Sequence, residues 1–364
     1  ENISILLSLI ILFACLINPI LNYFRAVQLI RLYSIFLLLQ TFLNLGLVII
    51  AIYLGCGLFG AVLGLFLGYV ILFLISYLVI YNKLGFSIPK FKNMGEYLRF
   101  GLPTVPSNLS YWIVESSDRY IIGLLLSSLF VGYYSPGYAL GSILSFFLVP
   151  FSTMLLPTVS ENYDKGEIVK VESFLNYSLK FYLLLTIPSV FGLSILSKPL
   201  LLLLTTPEIA ASGYIITPFV ALSSLIYGIY GIMSHPLVLA KKTKILGFLW
   251  ILAATLNIVL NIVLIPIMGI IAAAISTLIV YGIVLLLTFY IGKSFNYKLD
   301  IKYLLKVIFA SIVMSLIIIA IDPYGFFELI AVIFLSSLIY FVILFLSGGI
   351  KKKELQFLKN IIKK

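Results

Sequence analysis

The chain has 364 residues, 62% of them apolar and only 10% charged, with a mean hydropathy of +1.20 and a formal net charge of +11. A soluble domain carries about 25% charged residues on its solvated face. A water-soluble enzyme or nucleic-acid-binding module is therefore excluded, and the basic excess reads as a set of topology signals.

Apolar runs of the ~20 residues needed to cross ~30 Å of hydrocarbon predict spans near 3–23, 32–53, 58–80, 100–126, 132–156, 174–196, 212–238, 245–265, 269–291, 303–321 and 327–346. The runs are apolar on all faces, whereas barrel strands alternate. The fold class is an all-α integral membrane protein with about eleven transmembrane helices. Cys15 lies inside the first span and Cys56 in a tight loop, which leaves neither a disulfide framework nor a CxxC metal pair.

The 24 Lys and Arg residues are sorted by loop, and all except Lys198 and Arg119 fall after odd-numbered spans or in the tail. The positive-inside rule places those loops and the C-terminus in the cytoplasm of a cell-membrane protein. It also places Glu1 outside. No basic region precedes the first apolar run, so no signal peptide is read. A preceding N-terminal part with an odd number of spans is the expectation. The tail Ile350–Lys364 sets Leu355, Leu358, Ile361 and Ile362 among lysines. Either it lies on the anionic inner leaflet, or it is an ordinary basic end. The segment Lys83–Arg99 allows the same two readings.

An internal repeat links Arg31, Asn44 and Gly57 to Lys244, Asn257 and Gly269 at an offset of 212–213 residues. Both copies run the same way across the membrane, the layout of transporters with two rocking bundles. Six spans separate corresponding helices, so each bundle should hold six, the first lacking about three. The expected organisation is a half-bundle at 1–82, a cytoplasmic linker at 83–99, a six-helix bundle at 100–292, two additional helices at 293–346 and a basic tail at 347–364.

Ionisable residues inside spans are costly and mark function by default. Here they are Glu115, Asp118 and Arg119 in span four and His235 in span seven. Tyr111, Glu115, Asp118 and Arg119 share one helical face, and Asn108 extends it. In one reading the stripe glues helices, Glu115 pairing with Arg119 and Asp118 with a nearby hydroxyl. In the other it lines a water-filled cavity, Arg119 facing an anion and the carboxylates serving cations or protons. One Arg cannot neutralise two carboxylates, so a proton, Na⁺ or a further basic group is implied. His235, before Pro236, either titrates near neutral pH or bonds a carbonyl that the proline frees. As the one His of the chain it argues against a zinc site. Pro103, Pro106, Pro150, Pro157, Pro188, Pro218 and Pro236 are candidate hinges or packing kinks. No nucleotide-binding or catalytic motif is present, so the chain reads as a non-enzyme driven by an ion gradient or by the substrate's own gradient.

From span four onward the chain resembles the polysaccharide flippases of the multidrug/oligosaccharidyl-lipid/polysaccharide (MOP) exporter superfamily. The resemblance rests on Phe100-Gly-Leu-Pro103, Ser117-Asp118-Arg119, Val131-Gly-Tyr-Tyr134, Pro150, Leu156-Pro157 and Glu161-Asn-Tyr-Asp-Lys-Gly166, with Tyr23-Phe-Arg25 similar to the exit of the family's fourth helix. It implies fourteen helices in two six-helix bundles plus two, matching eleven visible spans and three more. It also implies flipping of a polyprenyl-pyrophosphate-linked oligosaccharide to the outer leaflet, beside membrane lipids, glycosyltransferases and a glycan polymerase. Arg119 would contact pyrophosphate or an acidic sugar, with Glu115 and Asp118 setting cavity charge or coupling. The family's cavities often carry several basic residues, and here only Arg119 is found. Alternatives are a cation-coupled multidrug antiporter or a peptidoglycan-precursor flippase of the same superfamily, and a non-transporting scaffold of a glycan-assembly complex.

Overall fold

The computed structural model describes residues 2–27, 29–85, 94, 95, 98, 102, 105–240, 242–292 and 300–349. Most of the predicted linker, the Phe100-Gly-Leu-Pro103 motif apart from Leu102, and the tail from 350 onward lie outside the described residues. Every α-helix or strand assigned among them is an α-helix, as lipid demands of a backbone that must satisfy its own polar groups. The helices are α1 Asn2–Ala26, α2 Ile30–Tyr53, α3 Gly57–Leu84, α4 Val105–Leu125, α5 Ser128–Ser142, α6 Leu148–Asp164 and α7 Ile168–Leu204. They continue as α8 Pro207–Gly213, α9 Ile216–Met233, α10 His235–Leu239, α11 Thr243–Met268, α12 Ile270–Ile291, α13 Ile301–Ile321 and α14 Phe326–Leu346. Ten helical segments among the described residues are long and apolar enough to cross a membrane. The predicted fourth span, α4, is not among these ten, although its 21 residues have a length of about 31 Å at ~1.5 Å per residue. The protein is a multi-pass, all-α membrane protein.

Three predicted spans have a different internal structure. Span five is α5, a 3-10 turn at Ile143–Phe147, and then α6 running on to Asp164. Pro150 has no N–H to return to the Phe146 carbonyl, and the chain tightens there. Span six is longer than its apolar run, because α7 has 37 residues, about 55 Å at ~1.5 Å each. Span seven is α8, α9 and α10 in succession, interrupted at Tyr214–Ile215 and at Ser234. Pro106 and Pro218 sit in the first turns of α4 and α9, where a missing N–H costs little.

The chain divides into two compact units, residues 1–94 and 95–364. The first is α1–α3, closed around Ile17, Leu21, Phe24, Phe36 and Leu72. A Cβ on Gly64 would stand 2.8 Å from the Leu47 carbonyl oxygen, so the bare glycine is what lets α2 and α3 touch.

In the second unit, α5 approaches α9 through Gly137 and Gly141. A Cβ on Gly141 would lie 2.8 Å from the Thr217 carbonyl oxygen. The closeness lets the Thr217 hydroxyl donate to the Gly137 carbonyl at 3.1 Å. Apolar residues of α6, α7, α9, α13 and α14 form a separate core. Tyrosines bolt the final two helices to α7: Tyr303 donates to the Lys180 carbonyl at 3.2 Å and Tyr340 to the Leu184 carbonyl at 2.8 Å. Leu184 is the residue whose carbonyl Pro188 leaves without its helical donor.

The repeat has a backbone counterpart. The α2–α3 and α11–α12 pairs each turn through a glycine with positive φ, 54° at Gly57 and 67° at Gly269. Only glycine enters that region without strain.

Candidate functional site

α4 places its polar residues along one side because 3.6 residues make a turn. The structure divides them into two groups. Asp118 points into the packed interior and is 0% exposed. Its Oδ2 accepts from the Tyr134 hydroxyl of α5 at 2.7 Å, and its Oδ1 accepts from Asn261 Nδ2 of α11, also at 2.7 Å. The Thr277 hydroxyl of α12 lies 3.1 Å from Oδ2, with the Ala273 carbonyl as a second acceptor at 3.2 Å. Asn257 extends the knot: its Oδ1 accepts from Ser117 at 2.8 Å and from Asn261 at 3.2 Å. Four helices therefore meet on one carboxylate.

Every donor to Asp118 is neutral. Arg119, its chain neighbour, turns away: its guanidinium stands 4.4 Å from the centre of the Tyr138 ring and donates to the Glu115 backbone carbonyl at 3.2 Å. Among the described residues no ion pair reaches Asp118. A lone buried carboxylate is costly in a low dielectric unless a proton or cation balances it. The oxygen set around it suits such a partner. Asp118 contributes two oxygens, Asn257 and Thr277 one each, and Asn261 Oδ1 is buried with no hydrogen-bond partner. Hard cations prefer oxygen ligands of this kind.

The second group is partly exposed. Tyr111 donates to Glu115 Oε1 at 2.6 Å, so the acid pairs with a phenol and not with Arg119. Behind Tyr111 stand Tyr227, Tyr230, Trp250 and Tyr281, with neighbouring ring centres 5.2–6.2 Å apart. Trp250 and Tyr230 satisfy each other, indole N–H to hydroxyl at 2.8 Å. Asn108 is exposed near the start of α4.

His235 lies apart from these residues in the chain. Its Nδ1 is 2.9 Å from the Gly231 carbonyl and 3.2 Å from that of Ile232, the one Pro236 leaves undonated. A neutral ring bonded this way carries its proton on Nδ1.

Sequence reasoning met Tyr134 only as part of the Val131-Gly-Tyr-Tyr134 motif, with no role, and did not find Tyr138, Tyr227 or Thr277. Tyrosine and threonine are ordinary in helices, and only the fold brings them to α4. Asn261 did carry a signal, since it stands four residues after Asn257 in an otherwise apolar helix.

Residues 2–209 match the family described as polysaccharide biosynthesis protein. Two curated relatives come from Haloferax volcanii. The probable low-salt glycan biosynthesis flippase Agl15 is 25% identical over 293 residues, covering 78% of this chain and 60% of the relative. The probable flippase AglR is 29% identical over 189 residues, covering 50% of this chain and 38% of the relative. The chain thus spans about 60% or less of the length of either. Among solved structures it resembles the lipid II flippase MurJ in an inward closed conformation, with a TM-score of 0.70, 23% identity, and coverage of 84% of this chain and 65% of that one. It also resembles an outward-facing multidrug resistance MATE transporter of the MOP superfamily, with a TM-score of 0.55, 16% identity, and coverage of 72% and 61%. The fold is therefore shared with these two solved structures, and the chain belongs to the polysaccharide biosynthesis protein family.

Proposed function

We propose that the protein moves a polyprenyl-pyrophosphate-linked oligosaccharide from the cytoplasmic to the outer leaflet of the cell membrane by alternating access. Its C-terminus would be cytoplasmic, as the Lys and Arg distribution suggests. The observation that carries the reading is the α4 stripe in a chain of this family. Charged groups half-way along membrane-spanning helices, only partly buried, have no stable place against lipid and need an aqueous path. Arg119 is the anion contact, its guanidinium backed by the Tyr138 ring and, among the described residues, with no carboxylate bonded to it.

Asp118 is the coupling group, and its oxygen-rich surroundings would hold a proton or a monovalent cation such as Na⁺. Bound there, a cation would balance the buried carboxylate and stiffen the junction of α4, α5, α11 and α12. The residues themselves orient one another: Tyr134 and Asn261 fix the carboxylate, and Asn257 fixes Asn261. Glycan polymerase and glycosyltransferases that supply and consume the carrier would be its partners.

The test is Arg119→Ala in the full-length protein, with surface glycan measured in a complemented deletion strain. A drop of at least tenfold at unchanged protein level is expected. Undiminished glycan would remove Arg119 from the substrate path.

A further inference from the structure

Glu115 is the acid that the anion-and-coupling scheme leaves unused. It sits four residues from Arg119, about 6 Å along the helix axis, yet the two side chains do not pair. A carboxylate so placed repels the phosphate that Arg119 attracts. It therefore serves a different part of the same ligand, or a different ligand.

Its surroundings narrow the choice. Tyr111 bonds to Glu115, and the Tyr227 ring packs beside that of Tyr111. The Tyr111 and Tyr227 rings stand 5.7 Å apart and tilted by 31°. Both are partly buried, packed onto buried Trp250, Tyr230 and Tyr281. Trp250 and Tyr230 use their polar ends on each other, so they serve as backing. What remains accessible is an acid acceptor beside two inclined aromatic rings with hydroxyl tips.

Two ligand classes use aromatic rings beside an acid. An organic cation would take the ring faces and the carboxylate together. A sugar would lay its C–H face on a ring and donate its hydroxyls to the carboxylate in charge-assisted bonds. Arg119, one turn away, opposes the cation and suits a sugar next to a phosphate. Resting on the flippase reading, we infer that Glu115, Tyr111 and Tyr227 form a saccharide ledge that holds a hydroxyl-rich sugar near the pyrophosphate, while Arg119 holds the anion. Tyr227 thereby becomes a specificity-determining residue for the glycan.

The chain contains two tryptophans, Trp112 and Trp250. Trp112→Phe in the full-length protein leaves Trp250, ring to ring with Tyr111 at 5.2 Å, as the reporter of the ledge. In lipid nanodiscs its emission is followed against N,N′-diacetylchitobiose, maltose, inorganic pyrophosphate and tetraphenylphosphonium. A saturable shift with at least one disaccharide is expected, weakened at least tenfold by Glu115→Gln and abolished by Tyr227→Ala. Tyr227→Phe, which keeps the ring, should retain most of the shift and shows that the site still folds. Pyrophosphate binding should be unaffected by Glu115→Gln and lost in Arg119→Ala. Saturation by tetraphenylphosphonium alone, or no saturable response to either disaccharide, overturns the ledge. Surface glycan separates the two ideas. Full export by Glu115→Gln and Tyr227→Ala overturns the ledge and leaves the flippase reading standing. Failure of the wild-type protein to restore any glycan overturns the flippase reading itself.

Discussion

Asp118 offers the sharpest test of how the second unit is built, because two substitutions at one atom cluster should behave differently. In Asp118→Asn the amide oxygen can keep the Tyr134 and Thr277 bonds. The new NH₂ then faces the Asn261 amide. Asn261 can turn to present Oδ1, which now has no partner, at the loss of its bond to Asn257. One hydrogen bond is lost in sum, about 1 kcal/mol. In Asp118→Ala three bonds disappear. Thr277 can fall back on the Ala273 carbonyl and Asn261 on Asn257, but the Tyr134 hydroxyl is stranded. Three bonds at roughly 0.6–1.5 kcal/mol each give about 2–4.5 kcal/mol, before any contribution from the cavity. Thermal unfolding in nanodiscs should therefore rank wild type and Asn close together and Ala well below. Under the proposed coupling role glycan export should be lost in both, since neither carries the charge that would bind a coupling cation. Equal stability of Ala and Asn would refute the four-helix knot. Normal export by Asn would refute coupling through Asp118.

The remaining expectations concern packing and transport. Tyr340→Phe removes the donor to the Leu184 carbonyl and should cost about 1 kcal/mol, with hydrogen exchange rising around Pro188; unchanged exchange there would refute the bolt. Gly141→Ala drives a methyl against the Thr217 carbonyl and Val220 and should cost about 1–3 kcal/mol, read as a lower unfolding midpoint. Arg119→Ala should abolish surface glycan without lowering protein level, as a quantitative blot beside a glycan stain will check. In the Trp112→Phe background, Trp250 emission should respond to disaccharide and lose that response with Tyr227→Ala.

How much of this was legible depended on whether a residue contrasts with its own helix. Glu115, Asp118 and Arg119 stand out in an apolar run, so the stripe on α4 and its likeness to flippases could be read directly. Their division into a buried and a half-exposed set could not. The i,i+4 spacing of Glu115 and Arg119 suggested an ion pair, but Tyr111 and the Tyr138 ring offered each charge another partner. Those rings arrive from elsewhere on α4 and from α5. Most membrane spans were legible from hydropathy, and the prolines at 150 and 236 marked the neighbourhoods of the breaks at Ile143–Phe147 and Ser234, whose bounds only the fold gives. The proline at 236 pointed to an undonated carbonyl, and His235 proved to lie beside it.

The bond from Tyr340 to Leu184 changes what Pro188 can do. A proline in mid-helix normally gives a hinge, because one rung of the ladder is missing and bending there strains nothing. In α7 a phenol from α14 fills the missing rung. Any flexing at that point must either drag α14 along or release its grip. The C-terminal pair therefore works as a splint on the longest helix, and bending α7 becomes an event with a threshold instead of a continuous drift.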